Sequence, residues 1–371
     1  MSGIVVAHKD YDVRGGGEIL AEHLARGLDA PLVVGHGDQS NQPVGSELEI
    51  DELAPGSPWH YLAARGGAPR SLAHMMLWRD HAPDALAQYD TVVTSGNEPQ
   101  WWMPAEGQTW LAYCHSTPRW MYDRYQDKQG WIARTSTQLQ RWVYQQELQT
   151  GADLWVANSD VVASRMRRYW GIDERDLRVV YPPIETDKLS PDLEDTDEYY
   201  ISLSRLSENK RVGEAIRAAN KRGFALKVLG TGPQEDELAE VAGSTVEMLG
   251  WVEGKKKREL LSGARALISC CRNEDFGMAV VEAIASGTPV ITVDEGMPAY
   301  TVADGERGIT YERGRLWHAI ERYETHGVSW SEQELAEWAS ANFGVERFVA
   351  DMQNAVELAR ERTRVTPHFD E

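Results

Sequence analysis

The 371 residues are enough for two domains, each burying a core of its own. A formal net charge of −20, with 9 Lys against 29 Arg, gives a surface that repels phosphate backbones and excludes a general role in binding nucleic acid. So much self-repulsion is best tolerated where salt screens it, which favours a halophilic, high-salt cytoplasm over the plainer reading of a soluble acidic protein.

The N-terminus, "MSGIVVAHKD", enters a short apolar strand without a basic leader or a signal-peptide core, and no stretch reaches the length of a membrane span. A cytoplasmic protein is expected, at most peripheral on a membrane. After this strand come Gly15, Gly16 and Gly17, directly before an amphipathic helix. Three glycines permit close backbone approach, and the amides at the helix start suit an anion or a polar ligand. The dinucleotide fingerprint is incomplete, because Leu20 stands where its last glycine belongs. Further along, "APLVVG", "DTVVTSG", "TWLAYCH" and "DLWVANS" read as buried strands of a parallel α/β unit.

Between the third and fourth of these lies a basic and aromatic segment. It carries Arg119, Arg124, Lys128, Arg134 and Arg141 among Trp120, Tyr122, Tyr125, Trp131 and Trp142. Such a face suits a lipid-phosphate acceptor at a membrane surface, although a solvated helix or a soluble glycan acceptor explains it equally well. The proline- and acid-rich stretch Tyr181 to Glu198 is the linker candidate. It divides the chain into an N-terminal domain, 1–183, and a C-terminal domain, 184–344, with a last helix at about 345–364 expected to cross back onto the first. Two doubly wound sheets facing each other across a cleft follow, and ligands of such sheets bind beyond the carboxyl ends of the strands.

In the second half, "YYISLSR", "ALKVLG", "VEMLGW", "ALISCC" and "PVITV" read as strands. Arg205 follows the first of them, and Lys210 stands at the start of the next helix. Cations there oppose the helix dipole unless an anion lies between, and a diphosphate would reverse that cost. The alternative is a pair of exposed cations balanced by Glu208 and Glu214. The stretch "EDFGMAVVEAIASGTPV" then opens a helix with the amides around Asp275, Phe276, Gly277 and Met278. Glu274 stands at its edge, and Glu282 lies in its apolar middle, where burial and hence a partner are expected. Sugar hydroxyls on one carboxylate and ribose hydroxyls on the other would serve; a buried Arg or backbone amides are the alternative.

The array "GGGE", "YCHSTPR", "VANS", "VVYPPI", "SRLSENKRVGEAI", "LGTGP", "LGWV" and "EDFGMAVVEAIASGTPV" resembles glycosyltransferase family 4, retaining enzymes of the GT-B fold. The resemblance spans nearly the whole chain. It implies that Arg205 and Lys210 bind the diphosphate of a nucleotide-sugar donor, Glu274 the donor sugar and Glu282 the ribose. It further implies that Gly15, Gly16 and Gly17 close on donor phosphate or acceptor, and that His115 lines the cleft beside the sugar. His115 also ends a strand before the helix-breaking "STP", a place where a structural histidine is the competing reading. One departure stands out: many members carry a glycine pair and a glutamate after the next strand, where this chain has "DEGMPAYTVADGERG" with Met297 and Tyr300.

The implied reaction is hexose transfer with retention to a glycan, lipid-linked or other hydroxyl acceptor. No cofactor or metal is expected, since the Asp10/Asp12 and Asp195/Asp197 pairs arise by chance at this aspartate content and three cysteines show no ligand spacing. A silent GT-B protein that binds a nucleotide sugar or supports a partner enzyme is the competing reading. A nucleotide-sugar epimerase or nicotinamide oxidoreductase on related domains is the third.

Overall fold

A computed structural model describes residues 3–12, 15–37, 48–65, 68–122, 138, 151–191 and 198–365. The chain divides into two compact units, Met1–Tyr181 with Phe348–Glu371, and Pro182–Arg347.

The first unit is built on a seven-stranded sheet in the order β3-β2-β1-β4-β5-β6-β7. Its strands are β1 (Ile4–His8), β2 (Leu32–Val34), β3 (Ile50–Glu52), β4 (Thr91–Ser95), β5 (Thr109–Cys114), β6 (Leu154–Ala157) and β7 (Leu177–Val179), all paired in parallel. Every residue of β4, β5 and β6 is buried, as a sheet covered on both faces requires. One face packs on Trp78, Trp102, Trp110 and Trp155. The other packs on Leu20, Leu24 and Leu28 and on the final helix, Val345–Val365.

From Phe348 onward that helix belongs to the first unit. Phe348, Met352, Ala355, Val356 and Ala359 fall on one stripe at helical spacing and are buried there. Contact is close enough that a Cβ on Gly27 would lie 2.5 Å from Val349 Cγ2. Arg360 donates to Thr91 Oγ1 at 2.9 Å, and Arg362 to the Asp153 carbonyl at 3.0 Å, tying the helix to the amino end of β4 and to the loop before β6.

The second unit carries a six-stranded parallel sheet, β10-β9-β8-β11-β12-β13. Its strands are β8 (Tyr199–Leu203), β9 (Ala225–Leu229), β10 (Val246–Gly250), β11 (Ala266–Ser269), β12 (Val290–Val293) and β13 (Gly308–Tyr311). Strand order reverses between β8 and β11, which opens a crevice above their carboxyl ends. No helix among the described residues is long and apolar enough to cross a membrane.

Three strands, β3, β7 and β13, have no counterpart in the apolar runs of the sequence. All three are sheet edges. An edge strand buries less of itself, so "IDE" and "LRV" carry exposed charge where a central strand carries Val or Ile.

Candidate functional site

In the first unit, polar side chains gather at the carboxyl ends of β1, β4 and β5. His8 ends β1, Ser95 ends β4, and His115 follows β5. Ser95 Oγ lies 3.1 Å from His8 Nδ1 and 2.7 Å from His115 Nε2. The Asn158 amide holds the His115 carbonyl at 2.7 Å, and Ser159 beside it caps the helix Asp160–Trp170 by accepting from Val162 N.

The helix Gly16–Gly27 starts within the glycine run rather than after it. Gly15 N donates to Glu18 Oε2 at 3.1 Å, so this helix start already carries an anion of its own. Gly16 is exposed. A Cβ on Gly17 would meet both His115 and His8 at 3.8 Å, ordinary van der Waals contact, so the helix start lies directly against both rings.

Burial alone would raise the Glu18 carboxyl, but the His8 ring 3.8 Å away, the charge of Lys9 and its own backbone amide bring it down to about 2. Burial lowers the His115 imidazole to about 3, helped by the nearby His8 ring and the charge of Lys9. The chain thus keeps an ionised carboxylate and a neutral histidine side by side at neutral pH. Asp10 and Asp12 both accept from Arg70, at 2.6 and 2.7 Å, and so have a structural use. Asp195, Asp197 and, apart from Gln138, the segment from Arg124 through Trp142 lie outside the described residues.

The second unit places Lys210 and Glu274 in direct contact, Nζ to Oε2 at 2.5 Å. Burial would lower the Lys210 ammonium, but Glu274, Cys271 and Asp275 outweigh it and the net shift is upward. Lys210 closes a short turn, Glu208–Lys210, and Arg211 takes a left-handed backbone with φ of 55° before the helix Val212–Arg222. Glu214 pairs with Arg211 and Arg272, so the arrangement in which Glu208 and Glu214 balance Arg205 and Lys210 is not the one formed. Arg205 stands exposed, with no ion-pair partner among the described residues.

Glycines let the surrounding loops close on this pair. Gly230 has φ of 125°, and a Cβ there would lie 1.9 Å from the Ser204 carbonyl oxygen. Gly277, with φ of 90°, caps the helix Met278–Ala285. Gly296, with φ of 71°, approaches the Glu274 backbone so closely that a Cβ would fall 2.5 Å from its nitrogen, while Met297 N donates to the Glu274 carbonyl at 2.9 Å. The unusual "DEGMPAY" segment therefore fixes the backbone of Glu274, with Met297 buried and Tyr300 71 % exposed.

One expectation is corrected. Glu282 is half-buried rather than buried, and its partner is Lys257 of the helix Gly254–Ser262, Nζ to Oε1 at 2.8 Å. The flanking Val280, Val281, Ala283, Ile284 and Ala285 supply the apolar face, which leaves position 282 beside that neighbouring helix. Phe276 is 3 % exposed and packs edge-on against Phe343 at 5.6 Å, so its ring serves the core. Asp275 and Met278 remain half-buried at the helix start.

Sequence reasoning missed His8, Ser95, Glu18, Asn158 and Lys257. For His8 and Ser95 a signal existed, since both end strands at the sheet's ligand-binding edge. Lys257 gave none, being one of three consecutive lysines in "GKKKREL".

Residues 14–188 match the family described as Glycosyltransferase Family 4, and residues 183–326 match Glycosyl transferases group 1. An alpha-1,3/1,6-mannosyltransferase of Kluyveromyces lactis is 22 % identical over 81 % of this chain and 71 % of its own length. A second such enzyme, from Schizosaccharomyces pombe, is 24 % identical over 66 % of this chain, which spans 58 % of that enzyme. Among solved structures, sucrose-phosphate synthase of Thermosynechococcus elongatus superposes with a TM-score of 0.75 at 17 % identity, covering 96 % of this chain and 98 % of the other. Anabaena HepE in complex with UDP-glucose superposes at 0.71 and 14 %, covering 95 % and 99 %. The two halves of the chain thus match two glycosyltransferase family models in succession, and the fold is the GT-B fold of glycosyltransferases.

Proposed function

We propose that the protein moves a hexose, with retention of configuration, from a nucleotide-diphosphate sugar to a hydroxyl of a glycan or lipid-linked acceptor, on the cytoplasmic side and without a metal. The observation that carries the reading is the Lys210–Glu274 pair at the reversal point of the second sheet, with Arg205 exposed at the end of the same β8 strand. A diphosphate arriving there takes over Lys210 and gives Arg205 a partner for its planar fork. Glu274, released from the lysine, accepts hydrogen bonds from sugar hydroxyls. Likewise a ribose displaces Lys257 from Glu282.

In the reaction the bond between the anomeric carbon and the diphosphate oxygen breaks, and its electron pair leaves with the phosphate. The acceptor oxygen bonds the same face of that carbon, and its proton passes to the departing phosphate. Arg205 and Lys210 stabilise the charge that develops, which is where most of the rate enhancement is expected to arise.

A thermal-shift panel of GDP, UDP and ADP with their common sugar conjugates tests the assignment. The wild type should respond to one base, and Lys210→Ala should weaken that nucleotide diphosphate by roughly tenfold to a hundredfold, the range of a charge-assisted contact. Equal losses for the diphosphate and the bare nucleoside would remove Lys210 from the diphosphate site. Activity that survives EDTA is expected. Donor binding without any turnover would instead mark a silent binding protein.

A further inference from the structure

Ser95 Oγ stands between two rings, His8 Nδ1 at 3.1 Å and His115 Nε2 at 2.7 Å. A hydroxyl has one proton, so it donates to one ring and accepts from the other. The direction is set by what lies beyond His8. That ring is fully buried, its Nε2 has no hydrogen-bond partner, and the group facing Nε2 is Glu18 Oε1 at 3.8 Å.

An ionised carboxylate favours the single proton of His8 on Nε2. His8 Nδ1 then accepts from Ser95, and Ser95 Oγ accepts from His115 Nε2–H. His115 Nδ1 is left with a lone pair. It faces Gly17, where a Cβ would lie 3.8 Å away, and it has no protein partner among the described residues.

We infer that Glu18, His8 and Ser95 are positioning residues that hold His115 in its Nε2–H tautomer, so that Nδ1 accepts a hydrogen bond from a hydroxyl of a carbohydrate ligand. The ligand half of this inference rests on the transferase reading above; the tautomer half does not.

The neighbours of the relay leave its direction intact. Lys9 spans Asp10 at 3.6 Å and Glu18 at 3.7 Å, which keeps Glu18 ionised without reaching a ring nitrogen. Tyr113 packs edge-on against His115 at 5.4 Å but donates its hydroxyl to the Val180 carbonyl at 2.8 Å. Burial keeps His115 neutral down to about pH 3, so the acceptor persists across the physiological range. A second proton on His8 would reverse the chain and turn His115 Nδ1 into a donor, which is the opposite outcome in the test.

Nitrogen and carbon NMR of the full-length chain with labelled histidine reads the tautomer directly, with His115 assigned by its loss in His115→Gln. The wild type should show the Nε2–H form. Ser95→Ala and Glu18→Gln should each lower the tautomer ratio by roughly three- to tenfold, the worth of one net hydrogen bond. Ser95→Thr, which keeps the hydroxyl, should restore it.

An Nδ1–H form in the wild type overturns the relay, as does a ratio unmoved in either variant that keeps a dispersed, folded spectrum. The two variants sit at opposite ends of the relay, so one that fails to fold leaves the other to decide. These spectra are taken without ligand, and failure of the transferase reading would show separately in the nucleotide-sugar panel.

Discussion

His115 and Glu18 both bind fewer protons in the folded chain than in the unfolded one, so both make stability fall with acid. For His115 the unfolded ring takes its proton near 6.5, while the folded one waits until about 3. Its stabilising contribution is therefore complete above about 6.5 and is lost as the pH falls toward 3. Glu18 acts lower, between 4.5 and about 2. From pH 6.5 to 4.5 His115 alone of the two operates, and two pH units correspond to roughly 2 to 3 kcal/mol. Urea unfolding followed by tryptophan fluorescence should show the wild type losing about that much more stability across the window than His115→Gln. Parallel curves for the two proteins would mean that the ring is protonated normally in the fold.

At the scale of elements, the loops at the two edges of the second sheet depend on glycines for two different reasons, and the structure separates them. Gly223 ends a helix with φ of 79° and open space around it, whereas Gly230 combines φ of 125° with the Ser204 carbonyl oxygen 1.9 Å from any added Cβ. Gly223→Ala should cost about 1 kcal/mol, the strain of a left-handed backbone alone. Gly230→Ala should cost at least about 3 kcal/mol, because the β8 and β9 loops must part. Comparable thermal midpoints for the two variants would show that the Gly230 loop yields.

The same contrast explains what was legible in the sequence. Central strands announced themselves as runs of Val, Ile and Leu, and the order of Arg205, Lys210, Glu274 and Glu282 along the chain already pointed to one sheet edge. The edge strands β3 and β7 did not, because each carries an exposed charge in its middle, and β13 did not because "GITY" holds a single aliphatic residue. Partners brought in from a distant element, such as Lys257 for Glu282 or Ser95 between two histidines, depend on how helices and strand ends pack. No spacing within one segment encodes that.

For the molecule as a whole, the governing quantity is the charge of −20. The ion pairs seen, Lys210 with Glu274, Lys257 with Glu282, Arg70 with Asp10 and Asp12, draw cations inward to hold the site and the sheet edges. Arginine and lysine so engaged are less available to offset acids spread over the outside. Repulsion among those acids acts over a distance set by salt, about 30 Å at 0.01 M and about 3 Å at 1 M. Folding brings them closer than the unfolded chain does, so dilute buffer should weaken the fold. A gain of about 2 kcal/mol on raising KCl from 0.01 to 1 M would lift the thermal midpoint by roughly 4 to 8 °C for units of this size. Screening depends on ionic strength rather than on the ion, so NaCl should trace the same curve and most of the rise should be complete by a few tenths molar. Sulfate at matched ionic strength would add a further rise by exclusion from the surface, which identifies that separate effect. A midpoint flat in both chlorides would show that the acidic surface is already balanced locally, and would retire adaptation to high salt as the reason for the composition.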